Sequence, residues 1–304
     1  MATDRTTAAE VPRSQPVTRA RYVALPDEDV IVVRRVYSPT PLARQHQRVL
    51  DTGGTRKIAP IPWADFRRDA YPEESLRLAY FANRALATGE YGAIGVFCRI
   101  ASSMALHGVP LDLVSSATRA TTDELRHADY ASRFAAMCGG KEIVMRVPKP
   151  SFAGAALTLL ELDLYVLDLC AIGEALACAL FSACLERATD PVARVYFGNL
   201  LRDEVHHARL GWHYLEWRAP AWTKAERQAV SDFAGHAVMQ MEPRFARGRE
   251  ATSKAAKKGA DALGVLDSRA QMDAVVAVTG DEIVPALDAL GLGASHAWKQ
   301  REHV

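Results

Sequence analysis

From Tyr71-Pro72 onward, apolar residues recur every three to four positions, and the recurrence stops wherever Pro, Gly or a capping residue intervenes. The first run extends to about His107, just before Gly108-Val109-Pro110, with Pro72 expected in its first helical turn. A second run covers 111–138 and is stopped by Gly139-Gly140. The connection "RVPKPS" at 146–151 leads into a third helix, with Ser151 as expected N-cap and an end near Thr189. Asp190-Pro191 then supplies a cap and a first-turn proline for a fourth, which should finish near "RAPAW" at 218–222. Four long helices in succession predict an all-α bundle. Two further helical stretches, 223–247 and 268–290, carry Pro243 and Pro285 and are expected to pack on the bundle with kinks. Between them "SKAAKKGADA" at 253–262 reads as an exposed, mobile link. Upstream, residues 1–70 hold one β-branched run, "VIVVRRV" at 30–36, and are expected to wrap the domain in extended form. The chain thus divides into an extended segment (1–70), the bundle (71–218) and C-terminal helices packed on it (219–304).

The 304 residues are 49% hydrophobic and 24% charged, which fits a soluble protein with a sizeable core. Thirty-seven basic against 36 acidic residues leave a charge of +1, with no block of one sign, so no nucleic-acid footprint is present. The five cysteines contain no C-x-x-C pair, which points away from a disulfide framework and towards a reducing cytoplasm. The N-terminus lacks the apolar core of a secretory signal and reads as a flexible tail. The most apolar segment, 152–185, is interrupted by Glu161, Asp163, Asp168 and Glu174. A carboxylate in hydrocarbon costs about 2.5–3.5 kcal/mol on insertion scales, so a helix buried in protein is expected there rather than a membrane span.

The chemistry begins with a repeated phrase. "DELRHA" at 123–128 returns as "DEVHHA" at 203–208, so Glu124 with His127 and Glu204 with His207 share one spacing on two predicted helices. Residues three apart on a helix differ by about 60° of rotation and about 4.5 Å of rise, so both side chains can reach one metal ion. The other two helices each add one acid inside an apolar stripe: Glu90 within "LATGEYGAIGVF" and Glu174 within "LCAIGEALACALF". A buried carboxylate without a partner is costly, and metal coordination would satisfy all of these acids together. Four carboxylates and two imidazoles suit two divalent ions, and the oxygen-rich set favours iron over zinc, with manganese as the alternative.

With its order Glu90, Glu124-x-x-His127, Glu174, Glu204-x-x-His207, the stretch from about 72 to 215 resembles the ferritin-like di-iron carboxylate proteins. "DELRH" is similar to the D-E-x-R-H of bacterial multicomponent monooxygenases, while helix order and spacing resemble p-aminobenzoate N-oxygenase-like proteins. The resemblance implies a ferritin-like four-helix bundle in which Glu90, Glu124, His127, Glu174, Glu204 and His207 bind the metals. It also implies that Asp123 and Asp203 accept hydrogen bonds from the imidazoles and fix their tautomers. The chain departs from these families at particular positions. Leu200 stands where the N-oxygenase has a seventh, histidine ligand; Ala131 replaces the radical tyrosine of ribonucleotide reductase subunits; Ala93 and Leu169 replace the cross-linked pair of the related ligand-binding oxidases.

These features imply an oxidoreductase that activates O₂ to hydroxylate or N-oxygenate a small organic substrate. No flavin or iron–sulfur motif is visible, so electrons would come from a separate ferredoxin or reductase, and the expected assembly is a homodimer. The competing expectation is a ferritin-like protein that oxidises and handles iron without an organic substrate. Cys178, Phe181 and Leu200 are candidate lining for a substrate cavity. Cys170 reads as a small core residue, Asp163 as a satisfied structural carboxylate, and His206, rotated by about 100° from His207, should miss the metal.

Overall fold

Each of the four long helices starts where the local chemistry lets it. α1 (Glu73–Leu106) and α2 (Leu111–Gly139) follow Pro72 and Pro110, each with φ near the helical value at −56° and −49° but with extended ψ. The prolines therefore sit just outside the helices, where no intrahelical N–H is needed. Gly140 closes α2 at φ 64°, a left-handed conformation natural to glycine. α3 spans Leu159–Arg187. Its N-cap is Thr158, in a reciprocal box: Glu161 N donates to Thr158 Oγ1 (3.3 Å) and Thr158 N donates to Glu161 Oε2 (2.8 Å). The start expected at Ser151 is thus corrected to a threonine seven residues on; Ser151 itself, like "VIVVRRV" and the N-terminal tail, lies outside the described residues. α4 (Pro191–Arg218) begins as its sequence predicts, with Asp190 Oδ1 accepting from the backbone N–H groups of Val192 (2.9 Å) and Ala193 (3.0 Å).

The computed structural model describes residues 40–45, 58–141, 143, 156–245 and 250–301, and among them there is no strand. The protein is an all-α bundle. After α4 come α5 (Lys224–Met239) and α6 (Met241–Phe245), broken around Gln240, then α7 (Lys254–Ala262) and α8 (Ser268–Val278). A π-helical turn at Thr279–Ile283 precedes α9 (Val284–Ala289), which has Pro285 in its first turn, and α10 (Ala294–Lys299) ends the described chain. Residues 253–262, expected as a mobile link, form α7 instead. Ser253 caps it by accepting from Ala256 N (3.1 Å), and its Ala256, Gly259 and Ala260 are buried. The alanines and glycine that looked like link composition are there because α1 passes close by: Ser75 donates to the Ala256 carbonyl (2.8 Å), and a Cβ on Gly259 would collide with Ser75.

α1 packs along α2, α3 along α4, and contacts between α2 and α4 join the pairs. Two apolar cores result. One gathers Phe97, Ile100, Leu113, Leu162 and Tyr214 with Val230, Val275 and Leu287 of the C-terminal helices. The other gathers Leu76, Phe134, Phe181, Tyr196, Phe197 and Leu200. Burying each such side chain contributes about 1.5–3 kcal/mol. Glu90, Glu124, Glu174 and Glu204, one from each of the four long helices, draw together inside the bundle. α3 is apolar and long enough by composition to cross a membrane, yet its Asp163 is fully buried among protein partners.

Candidate metal centre

Helical spacing places Glu124 with His127 on one face of α2, and Glu204 with His207 on one face of α4; all four are at most 2% exposed. The imidazoles approach each other with ring centroids 5.8 Å apart. Each acid meets both of them. His127 Nδ1 is 3.1 Å from Glu204 Oε1 and 3.6 Å from Glu124 Oε2, while His207 Nδ1 is 2.9 Å from Glu204 Oε2 and 3.1 Å from Glu124 Oε1. Glu90 and Glu174 complete two overlapping groups: Glu90, Glu124, His127 and Glu204; and Glu124, Glu174, Glu204 and His207. Within each group the ligand atoms lie within 4.8 Å of one another. The six acids and histidines named from the sequence therefore converge on one point, with Glu124 and Glu204 common to both halves.

Such a cluster could hold metal ions. Glu124 Oε2 and His127 Nδ1 are buried without a hydrogen bond of normal geometry, an arrangement that costs stability unless something else binds there. Burial, reinforced by the Glu124 and Glu204 charges, pushes the Glu90 carboxyl well above its ordinary range. Burial and the same two charges do likewise to Glu174. Glu204 goes the other way: burial would raise it, but the His207 and His127 charges outweigh that and hold it low. Burial would depress both histidines, yet the Glu204 carboxylate and the surrounding acids hold them well above the usual imidazole value. The metal-free cluster thus favours the protonated forms of Glu90, Glu174 and the two imidazoles and the ionised form of Glu204.

The aspartates work across the bundle. His127 Nε2 faces Asp203 Oδ2 and His207 Nε2 faces Asp123 Oδ2, both at 3.4 Å, so each phrase orients the histidine of the other. With Nε2 turned to an aspartate, Nδ1 points at the cluster, which is the tautomer a ligand needs. Arg126, the arginine of "DELRHA", donates to Asp123 Oδ1 (2.5 Å) and Asp203 Oδ2 (2.7 Å) and clamps the two acids together. Sequence reasoning gave it no role, although its position three residues after Asp123 signals an intrahelical pair. The matching position in the second phrase is His206, so the twofold pattern is not complete.

A second unforeseen feature is the π-helical stretch Val166–Gly173, which ends at Glu174. Wider turns of this kind occur at functional sites. Here α4 approaches so closely that a Cβ on Gly211 would collide with the backbone of Cys170 and Ala171. Of the candidate cavity residues, Cys178 lines an open space of about 640 Å³ between α3, α4 and α8, whereas Phe181 and Leu200 are packed among Tyr196 and Phe197 in the core. Cys170 is fully buried. Asp163 is the structural carboxylate expected: it accepts from Tyr214 Oη and Trp222 Nε1, both at 2.8 Å, beside Arg218 Nε at 3.3 Å.

Comparison with known proteins gives no match: neither a family model, nor a curated protein, nor a solved structure aligns significantly with the chain.

Proposed function

We propose that the cluster is a non-haem di-iron centre and that the protein is an oxidoreductase that activates O₂ to oxidise a small organic substrate by hydroxylation or N-oxygenation. The observation that carries this reading is the pair of overlapping four-ligand groups sharing Glu124 and Glu204. Glu90 with His127 would complete one ion's set, Glu174 with His207 the other's, and manganese is the alternative metal. The resemblance to ferritin-like di-iron proteins supports the assignment from the sequence side. Bound in its reduced form, an iron pair supplies electrons to O₂ and the oxidising power that reaches the substrate. The chain's own residues hold the ligands in place through the Asp123–Arg126–Asp203 clamp and keep bulk water away with the two flanking cores. Electrons would come from a separate ferredoxin or reductase.

An organic substrate is favoured over iron handling alone by the cavity of about 640 Å³, which is within the range of small-molecule sites. The test is metal analysis followed by anaerobic reduction and mixing with O₂. Two irons per chain, O₂ consumption coupled to the added reductant and a fast optical change are expected. Uptake of no metal, or of far more than two ions per chain, would overturn the assignment.

A further inference from the structure

The cavity between α3, α4 and α8 has a floor and a mouth of different chemistry. Ala175, Cys178 and Ala179 of α3 and Val205 and Ala208 of α4 line it, and they lie one to five positions from Glu174, Glu204 or His207 along the same helices. Glu174 itself keeps partial exposure and directly precedes the lining residue Ala175 on α3. Cys178, one turn further along α3, is also partly exposed and lines the cavity. The Cys178 thiol is pushed up to about 12 by burial and by the Glu204 and Glu174 carboxylates, with Glu282 adding from the cavity rim. This thiol lies on the cavity wall, one helical turn from Glu174. At the mouth are the exposed carboxylates of Glu186, Asp281 and Glu282 and one guanidinium, Arg209. Among the described residues none of these four side chains forms an ion pair. The π-helical turn Thr279–Ile283 carries Asp281 and Glu282, so a local widening of the helix presents two acids together.

Taking the cluster as the metal centre proposed above, we infer that this cavity is its substrate chamber and that it selects an amphipathic organic cation. The apolar body of such a molecule fits the alanine and valine walls beside Cys178, and its ammonium group meets three carboxylates against one arginine. Low-dielectric walls focus that field into the opening, so charge selection is strongest there. An anionic molecule of the same shape meets the same walls and a repelling mouth.

Titration calorimetry with 4-phenylbutylammonium and 4-phenylbutanoate at neutral pH tests this on the full-length protein, with iron content measured in the same preparation. The ammonium compound should bind at least about tenfold more tightly than the carboxylate. In the Asp281→Asn/Glu282→Gln variant, both changes being on exposed side chains, the preference should shrink to about threefold or less. Ala179→Phe should fill the chamber and weaken the ammonium compound about tenfold or more. The proposal is overturned if the wild-type protein binds the carboxylate equally well, if the preference survives the double substitution, or if folded Ala179→Phe protein binds the ammonium compound unchanged. The wild-type comparison needs no variant to fold. Selective binding by a preparation that takes up no iron would sink the di-iron reading alone, and two irons with no selectivity would sink this inference alone.

Discussion

Glu124 and Glu204 differ from Glu90 and Glu174 in one respect that metal analysis can read: each of the first two belongs to both ligand groups. Replacing Glu204 by Ala should therefore strip both ions, whereas Glu90→Ala should leave about one per chain. Equal stoichiometry in the two variants would contradict a shared-ligand centre. The same residues set a pH dependence. In the metal-free cluster burial and the neighbouring carboxylates push Glu90 and Glu174 up, and the surrounding carboxylates push His127 and His207 up, so all four favour their protonated forms. Metal binds the deprotonated ligands, so uptake of a metal pair should release protons. Because protons and metal compete, affinity must rise with pH, and proton release measured in weakly buffered solution checks the sign. Arg126 acts through the aspartates. Arg126→Ala leaves two buried carboxylates facing each other without their clamp, and metal affinity should fall about 10–100-fold with stoichiometry unchanged. Arg126→Lys, with a point charge in place of the fork, should recover only part of it.

At the scale of the elements, the clustering of these six residues was legible because a helix converts spacing into direction: an i, i+3 pair and an acid inside an apolar stripe look the same in the chain and in space. The helix ends at Gly140 and Asp190 were legible for a similar reason, since a left-handed C-terminal glycine and a side-chain cap are local chemistry. What was not legible depends on another element. The widened turns before Glu174 have no signature of their own, and their partner is Gly211, forty residues on, whose missing Cβ lets α4 lie against Cys170 and Ala171. α7 was misread because its buried alanines gain their meaning only from Ser75 across the interface. Gly211 supplies a sharp test of this account. In an exposed helix, Gly→Ala stabilises by up to about 1 kcal/mol, and Gly198, with open space around its missing Cβ, should behave so. Gly211→Ala should do the reverse, costing about 1–3 kcal/mol through overpacking, and should loosen the metal group that contains Glu174. Thermal unfolding of the two variants side by side reads the opposite signs; a stabilised Gly211→Ala would show that the contact does not hold the π-helical stretch in place.

Across the whole molecule, Asp163 joins what the four-helix count leaves separate. It sits on α3, accepts from Tyr214 on α4 and from Trp222 in the segment leading to α5, and neighbours Arg218, which also donates to Glu226 of α5 at 2.7 Å. Burial raises the Asp163 carboxyl, and the hydrogen bonds from Tyr214 and Trp222 oppose that rise. Asp163→Ala would leave a phenol and an indole N–H in the interior with no acceptor and Arg218 with Glu226 alone, and losing one partner of a buried charged network costs about 3–5 kcal/mol. Asp163→Asn keeps the shape and one acceptor, so it should cost less than Ala. The C-terminal helices should loosen first, because Trp222 and Arg218 are where the chain leaves the bundle for α5. The candidate metal cluster is a different matter: Glu174 lies eleven residues further along the same helix, beyond the π-helical stretch. Urea unfolding monitored by tryptophan fluorescence, paired with metal analysis, separates the two effects. Lower stability with two metals retained is the expected pattern, and loss of metal in a folded Asp163→Asn protein would mean that the cross-tie also sets the geometry of the cluster.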